Sequence, residues 1–275
     1  MVNNAIRICA GIVTYNPDIT RLKDNYESIS KQVDYVIICD NGSNNINEVK
    51  KVVTGSNDII IELGQNEGIA YALNRLCECA YKNKYCWIIT LDQDSVCPQN
   101  MVSILSEHCK NRTAIIGPHI LYKGNEEYSA KFQKRLEKVD WVITSGSLTN
   151  TKVWKKINGF DDFLFIDKVD TEYCVRANRA GYPVIRDNAV VLNHELGKMT
   201  CKKLFGKVIY VTNHNEMRIY YQCRNIVYIY RKISYGNCIL DLLKIIIKII
   251  LYENHKILKL KNAFKGIYNG IKAPL

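Results

Sequence analysis

A run of apolar and β-branched residues, Trp87-Ile-Ile-Thr-Leu91, stops abruptly at Asp92-Gln-Asp-Ser95. Such a run reads as a buried central strand that delivers its C-terminal end to a ligand. Side chains alternate along an extended chain, so Asp92 and Asp94 are expected on one side. Two carboxylates so placed repel unless a cation lies between them. Paired oxygen ligands of this kind suit Mg2+ or Mn2+ carrying a phosphate. Taken alone, the pair also fits a polar loop after a strand.

The surrounding sequence repeats the pattern. Ile6–Val13 is a first strand, ending at Thr14-Tyr-Asn-Pro17, and Leu22, Tyr26, Ile29 and Val33 then recur at helical spacing. Val36–Cys39 ends at Asp40-Asn-Gly-Ser43, a turn signal, and a short helix over Glu48–Val53 precedes a third strand at Ile59–Leu63. Asn66-Glu-Gly68 opens a helix with Ile69, Leu73, Leu76 and Ala80 on one face. This rhythm predicts an α/β fold, a doubly wound and mostly parallel sheet whose ligands bind at the C-terminal ends of its strands. Thr14, Asp40, Asn66 and Asp92/Asp94 all occupy or follow such ends.

Beyond Leu91 the sequence predicts a helix over Pro98–Lys110 and strands at Ala114–Gly117 and Trp141–Thr144. Lys123–Glu137 reads as a surface excursion. A helix over Val169–Ala180 and short strands at Val184–Ile185 and Val190–Leu192 precede Asn193-His194. Residues 213–232 form a helix crowded with tyrosine and arginine, and Ile239–Leu251 is apolar but carries Asp241, Lys244 and Lys248. Those charges favour an interfacial amphipathic helix over a spanning one; packing on the catalytic domain or in an oligomer interface is the other reading.

Charge separates the two parts of the chain. The net charge is +11, yet residues 198–275 hold 15 Lys and Arg against three acids, leaving 23 basic and 24 acidic groups before them. A near-neutral domain over 1–200 thus carries a basic helical extension over 201–275, suited to an anionic membrane surface. No basic-aromatic recognition motif appears, so nucleic acid is not expected. Eleven scattered cysteines with no C-x-x-C indicate a reducing compartment, without a disulfide framework or zinc site. No signal-peptide pattern and no membrane-spanning run is expected.

Five motifs then carry a resemblance: Val13-Thr-Tyr-Asn16, Cys39-Asp-Asn-Gly-Ser43, Asn66-Glu-Gly-Ile-Ala-Tyr-Ala-Leu-Asn74, Leu91-Asp-Gln-Asp-Ser95 and Phe165-Ile-Asp-Lys-Val-Asp-Thr-Glu-Tyr-Cys-Val-Arg176. In this order and spacing, over roughly residues 6–230, the chain resembles glycosyltransferase family 2, nucleotide-sugar enzymes of the GT-A fold, and within it the bacterial rhamnosyltransferases.

The resemblance implies a metal-dependent inverting transferase using Mn2+ or Mg2+, with a nucleotide-sugar donor, dTDP- or UDP-linked. Asp40 would accept the imide N–H of the base beside Thr14 and Tyr15, and Asn66 and Gly68 would bring main-chain N–H groups to the nucleotide. Asp40 could equally stabilise its turn, and Asn66 could simply cap the helix. Asp94 would bind the metal directly, Asp92 the ribose or a metal-bound water, and His194 would be a third metal ligand or a structural histidine.

Asp170 takes the place of the family's catalytic aspartate, although Val169 stands where a glutamate is common; Asp167 and Glu172 are rivals for the base. Trp141, Ser145 and Gly146 would line the sugar or acceptor pocket, with Trp141 alternatively in the core. Arg224 would approach the diphosphate, or serve packing or lipid contact.

The function so implied is transfer of L-rhamnose from dTDP-rhamnose to a lipid-linked cell-surface polysaccharide, by a cytoplasmic enzyme peripheral to the inner face of the cell membrane. A UDP-hexose donor (galactose, glucose or N-acetylglucosamine) is the alternative within the same chemistry. A silent GT-A membrane scaffold subunit is the alternative of another kind, and a homo-oligomer through the C-terminal helices is a further partner the sequence allows.

Overall fold

The computed structural model describes residues 6–122, 134–194, 200–204, 207–211 and 213–275, with side chains between 194 and 209 outside the description. The chain divides into two compact units. The first comprises Met1–Phe163 and Val169–His194; the second comprises Leu164–Lys168 and Glu195–Leu275.

The first unit runs β1 (Ile8–Thr14), α1 (Ile19–Ser30), β2 (Val36–Asp40), α2 (Ile46–Val52), β3 (Ile59–Glu62), α3 (Ile69–Lys82) and β4 (Trp87–Asp92). It continues through α4 (Met101–Ser106), β5 (Ile115–Tyr122), β6 (Leu136–Lys138), β7 (Ser147–Asn150), α5 (Thr151–Lys156), α6 (Val169–Arg179) and β8 (Val184–His194). The strands form one sheet in the order β3-β2-β1-β4-β7-β5-β8-β6. Pairs β1–β2, β2–β3, β1–β4 and β5–β8 are parallel, whereas β7 runs antiparallel to both neighbours and β6 antiparallel to β8.

Alternation along β1 and β4 sorts their side chains onto two faces. Ile8, Ala10, Ile12, Trp87, Ile89 and Leu91 join one core with Leu22, Tyr26 and Ile29 of α1 and Met101, Val102 and Leu105 of α4. Each such fully buried Leu or Ile contributes roughly 1.5–3 kcal/mol relative to exposure. Helix α3 covers strands from the opposite face. There a Cβ on Gly11 would stand 2.9 Å from Ile88 and 3.0 Å from Leu76, so glycine sets how closely α3 approaches β1.

Strand direction fixes the site. After β3 the chain crosses back over β1 to form β4 on its other side, so β1 and β4 flank the point where the strand order reverses. In α/β sheets the ligand crevice opens at the C-terminal ends there. Register puts Thr14 beside Asp40 and Val13 beside Asp92, level at that edge.

Three of the expected elements differ from those observed. Trp141–Thr144 is not a strand; the ladder starts at Ser147, after the left-handed turn at Gly146, whose φ is +78°. The helix expected over Pro98–Lys110 is confined to α4, because the chain reaches it through Asn100 at φ +62°. The two short strands near residue 190 are one strand, β8, kept in the sheet by a register shift opposite Pro118/His119.

The second unit contains the hairpin β9 (Thr200–Leu204) and β10 (Lys207–Val211), then α7 (Glu216–Ile233), α8 (Cys238–Tyr252) and α9 (Lys256–Lys272). Ile219, Cys223, Ile249 and Ala263 form its core. Gly266 and Gly270 let α9 dock on α7: a Cβ at either would fall 2.3 Å from the Tyr220 carbonyl oxygen or 2.6 Å from that of Arg224. No helix among the described residues is long and apolar enough to cross a membrane.

Candidate active site

The first three strand ends are stitched together by side chains. Asp40 is 2% exposed and accepts from the Thr14 hydroxyl at 2.9 Å, the Ser43 hydroxyl at 2.5 Å, the Ser43 N–H at 2.8 Å and the Gly42 N–H at 3.2 Å. These bonds occupy about four acceptor positions, the capacity of a carboxylate. Asn16, at φ +46°, bridges the β1 and β2 turns through Ser43 and Asn44 at 2.8 Å each. Asn66 accepts from Asn41 and from the Gly68 N–H, both at 3.0 Å. Gly68, at φ +91°, is the N-cap of α3 and supplies no side-chain cap, so the first N–H groups of that helix are not capped from its own N-cap residue. Tyr15 is 46% exposed, and its N–H donates to Gln93 Oε1 at 2.8 Å.

The acidic pair lies in a turn. The Ser95 N–H closes on the Asp92 carbonyl at 3.2 Å, so β4 ends at Asp92 and strand alternation does not extend to Asp94. Asn25 donates to the Asp92 carbonyl at 2.6 Å and ties the turn to α1. On the other flank, the Asp92 N–H donates to the Ser145 hydroxyl at 3.1 Å, which also bonds Ser95 at 2.8 Å.

Residues 144–146 form a brace reaching two groups of acids. The Gly146 N–H donates to the Thr90 carbonyl and the Thr90 hydroxyl to the Thr144 carbonyl, each at 2.7 Å. The Thr144 N–H donates to Asp170 Oδ1 at 3.3 Å. The acidic turn and Asp170, in the first turn of α6, are therefore held by consecutive residues of one corner. Ser145 is 2% exposed and backs the turn, whereas Trp141 is 43% exposed. Thiol chemistry is not available beside this edge: burial pushes Cys39 and Cys97 up to about 12, which keeps both protonated.

Glu172 stands apart from Asp170, the other acid of α6. It is fully buried and paired with Arg176 at 2.8 Å, and Arg176 also donates to the Ile157 and Gly159 carbonyls. Asn74, the last residue of its motif, has a role that sequence reading missed. It accepts from Trp154 and the Phe160 N–H and donates to the Phe160 carbonyl at 2.8 Å each, fixing the loop before α6. A polar residue in the apolar α3 periodicity was the available signal.

Asp167 and Arg224 belong to the second unit. Asp167, at φ +65°, accepts from Arg218 Nε at 3.1 Å and Nη2 at 3.0 Å. Asn225 donates to the Ile166 and Asp167 carbonyls at 2.7 and 2.9 Å. Arg224 is 8% exposed and lies 4.7 Å over the Tyr221 ring. His194 ends β8 opposite Tyr122 of β5; its side chain lies outside the described residues.

Among the described residues, no group of three or more His, Cys, Asp or Glu forms a complete metal cage. The chemistry of the remaining donors nevertheless fits a hard cation. Mg2+ and Mn2+ are commonly held by one or two carboxylates together with substrate phosphate and water. Asp94 offers such an oxygen pair: its side chain is 40% exposed, and the Arg21 guanidinium stands 3.7 Å away, a weak exposed contact that a cation can displace.

Comparison with known proteins gives the family and the fold. Residues 9–171 match the model of "Glycosyl transferase family 2". The chain is 30% identical over 246 residues to the dTDP-rhamnosyl transferase RfbF of Shigella flexneri, covering 82% of this chain and 80% of that protein. Among solved structures it is similar to the mannosyltransferase PcManGT of Pyrobaculum calidifontis in complex with GDP-Man and Mn2+. That match has a TM-score of 0.59 at 13% identity and covers 98% of this chain and 76% of the other. GalNAc-T7 with UDP, GalNAc and Mn2+ also has a TM-score of 0.59, at 14% identity, covering 98% of this chain and 56% of the other. A mostly parallel sheet carrying a braced acidic turn at its switch point, matched by family and by relatives along most of its length, makes this chain a GT-A glycosyltransferase belonging to glycosyl transferase family 2.

Proposed function

We propose that the chain transfers L-rhamnose from dTDP-rhamnose, with inversion, to a hydroxyl of a lipid-linked cell-surface saccharide at the cytosolic face of a membrane. The observation that carries the donor assignment is the 30% identity, over 82% of the chain, to a dTDP-rhamnosyl transferase. The family and the fold supply the reaction class.

In this reading the edge formed by Thr14, Tyr15 and Asp40 receives the base. The base imide competes for Asp40 with the bonds of its own turn, of which the 3.2 Å contact to Gly42 is the longest. Asn66 and Gly68 set the start of α3 toward the phosphates. Asp94, with Asp92, would hold Mn2+ or Mg2+, which when bound neutralises charge on the diphosphate leaving group; His194 is the proposed third ligand.

Asp170 takes the proton from the acceptor hydroxyl as its oxygen attacks the anomeric carbon and the bond to the diphosphate breaks. Ser145 holds the acidic turn, Thr144 holds Asp170 and Gly146 ties their corner to β4, and Trp141 offers an exposed apolar ring to a sugar face. Within the second unit, Asp167 is paired with Arg218, and the Arg224 guanidinium lies over the Tyr221 ring.

The test is donor consumption by purified protein with Mn2+ or Mg2+, offered dTDP-rhamnose and a panel of UDP-hexoses. Release of dTDP from dTDP-rhamnose alone, lost with chelator and in Asp94→Ala, is expected. Preference for a UDP-hexose would overturn the sugar assignment, and indifference to chelator would overturn the metal role.

A further inference from the structure

Helices α8 and α9 expose far more apolar side chain than their packing requires. On α8, Ile239, Leu240, Leu243, Ile247, Ile250 and Leu251 are 45–73% exposed, while Leu242, Ile245 and Ile249 face the core of the second unit. At 3.6 residues per turn the six exposed side chains fall within about 120° of arc. On α9, Ile257, Phe264, Tyr268 and Ile271 are 54–87% exposed and share one narrower stripe. Rotation cannot hide that stripe. Gly266 and Gly270 are locked against the main chain of α7, where a Cβ would sit 2.3–2.6 Å from a carbonyl oxygen.

The charges beside the stripe identify its occupant. Lys261, Lys265 and Lys272 project within about 60° of the α9 apolar arc on the same helical projection, and α9 contains no acidic residue. The two acids of residues 238–275 are already engaged, Asp241 with Lys244 at 3.3 Å and Glu253 with the buried Lys259 at 2.7 Å. An apolar arc bordered by lysine suits acyl chains beneath anionic headgroups. A second copy would set lysine rows of like charge side by side, which opposes self-association.

We propose that α8 and α9 form a docking surface for an anionic lipid bilayer, inserting their apolar arcs to headgroup depth without spanning. This deepens the membrane-face reading above and rests on it only for location. Sugar transfer and lipid binding are read by separate measurements.

The test is co-sedimentation of the full-length protein with phosphatidylcholine vesicles with and without phosphatidylglycerol. Binding should require the anionic lipid and weaken at high salt. Lys261→Gln/Lys265→Gln/Lys272→Gln should weaken it about a hundredfold, at roughly 1 kcal/mol per lysine. Phe264→Gln/Ile271→Gln should weaken it as well, and the exposed positions leave helix content and release of dTDP from the donor in solution unchanged. Equal binding by wild type and both variants, or no binding by the wild type, would overturn the proposal. So would a dimer in solution that Phe264→Gln/Ile271→Gln dissociates. Loss of donor turnover with vesicle binding intact would count against the sugar reading alone.

Discussion

The main-chain N–H of Asp92 donates to the hydroxyl of Ser145 at 3.1 Å, across 53 residues of sequence. Thr144, immediately before, donates its main-chain N–H to the Asp170 carboxylate at 3.3 Å. One corner therefore sets the acidic turn and the proposed base relative to each other. Removing the hydroxyl in Ser145→Ala leaves a main-chain donor unpaired, at about 1–3 kcal/mol. Donor affinity should fall several-fold, with a Tm loss of a few degrees. Calorimetric titration with dTDP-rhamnose and a thermal melt check both. An unchanged affinity would show that the turn does not depend on the brace.

Glu172 and Arg176 give a different expectation. Their pair is buried at 0% and 22% side-chain exposure, and Arg176 also ties down the residues before α6. Glu172→Gln leaves a largely buried guanidinium without its counter-charge, which typically costs about 3–5 kcal/mol. The melt should drop by many degrees while the pH profile of the remaining activity keeps its shape. A variant of normal Tm with no turnover would instead make Glu172 the base.

His214 supplies a pH dependence in the second unit. Burial, with the Arg218 cation adding, lowers its pKa to about 4 from 6.5. The unfolded chain takes up this proton before the folded one does. The contribution to stability is therefore complete above pH 6.5 and is lost as pH falls toward 4. Denaturant midpoints at the two ends of that window should differ less in His214→Gln than in wild type. Equal slopes would place the acid sensitivity elsewhere.

The alternating half of the fold was legible because each strand from β1 to β4 is an apolar run that ends on a polar residue, and each helix keeps one apolar face. β7 was not, because Ser147-Leu-Thr-Asn150 is short, polar in composition and fully buried only by its two neighbours. Helix α9 was also passed over, since five lysines and two glycines interrupt its apolar spacing. At the site, residue types placed Asp40 and Asp92 at strand ends, but not the direction of Glu172. Carboxylates in the first turn of a helix read alike in sequence, and only the Arg176 partner shows that this one points inward.

The central claim is that Asp92 and Asp94 serve the donor while Asp170 takes the acceptor proton. Transfer of labelled rhamnose from dTDP-rhamnose into the lipid extract of bacterial membranes, measured for Asp170→Asn beside its donor affinity, tests it most directly. Transfer is expected to fall by roughly a hundredfold or more, the contribution of a general base, with donor affinity unchanged. Transfer at the wild-type rate, or transfer lost only in step with donor binding, would contradict it.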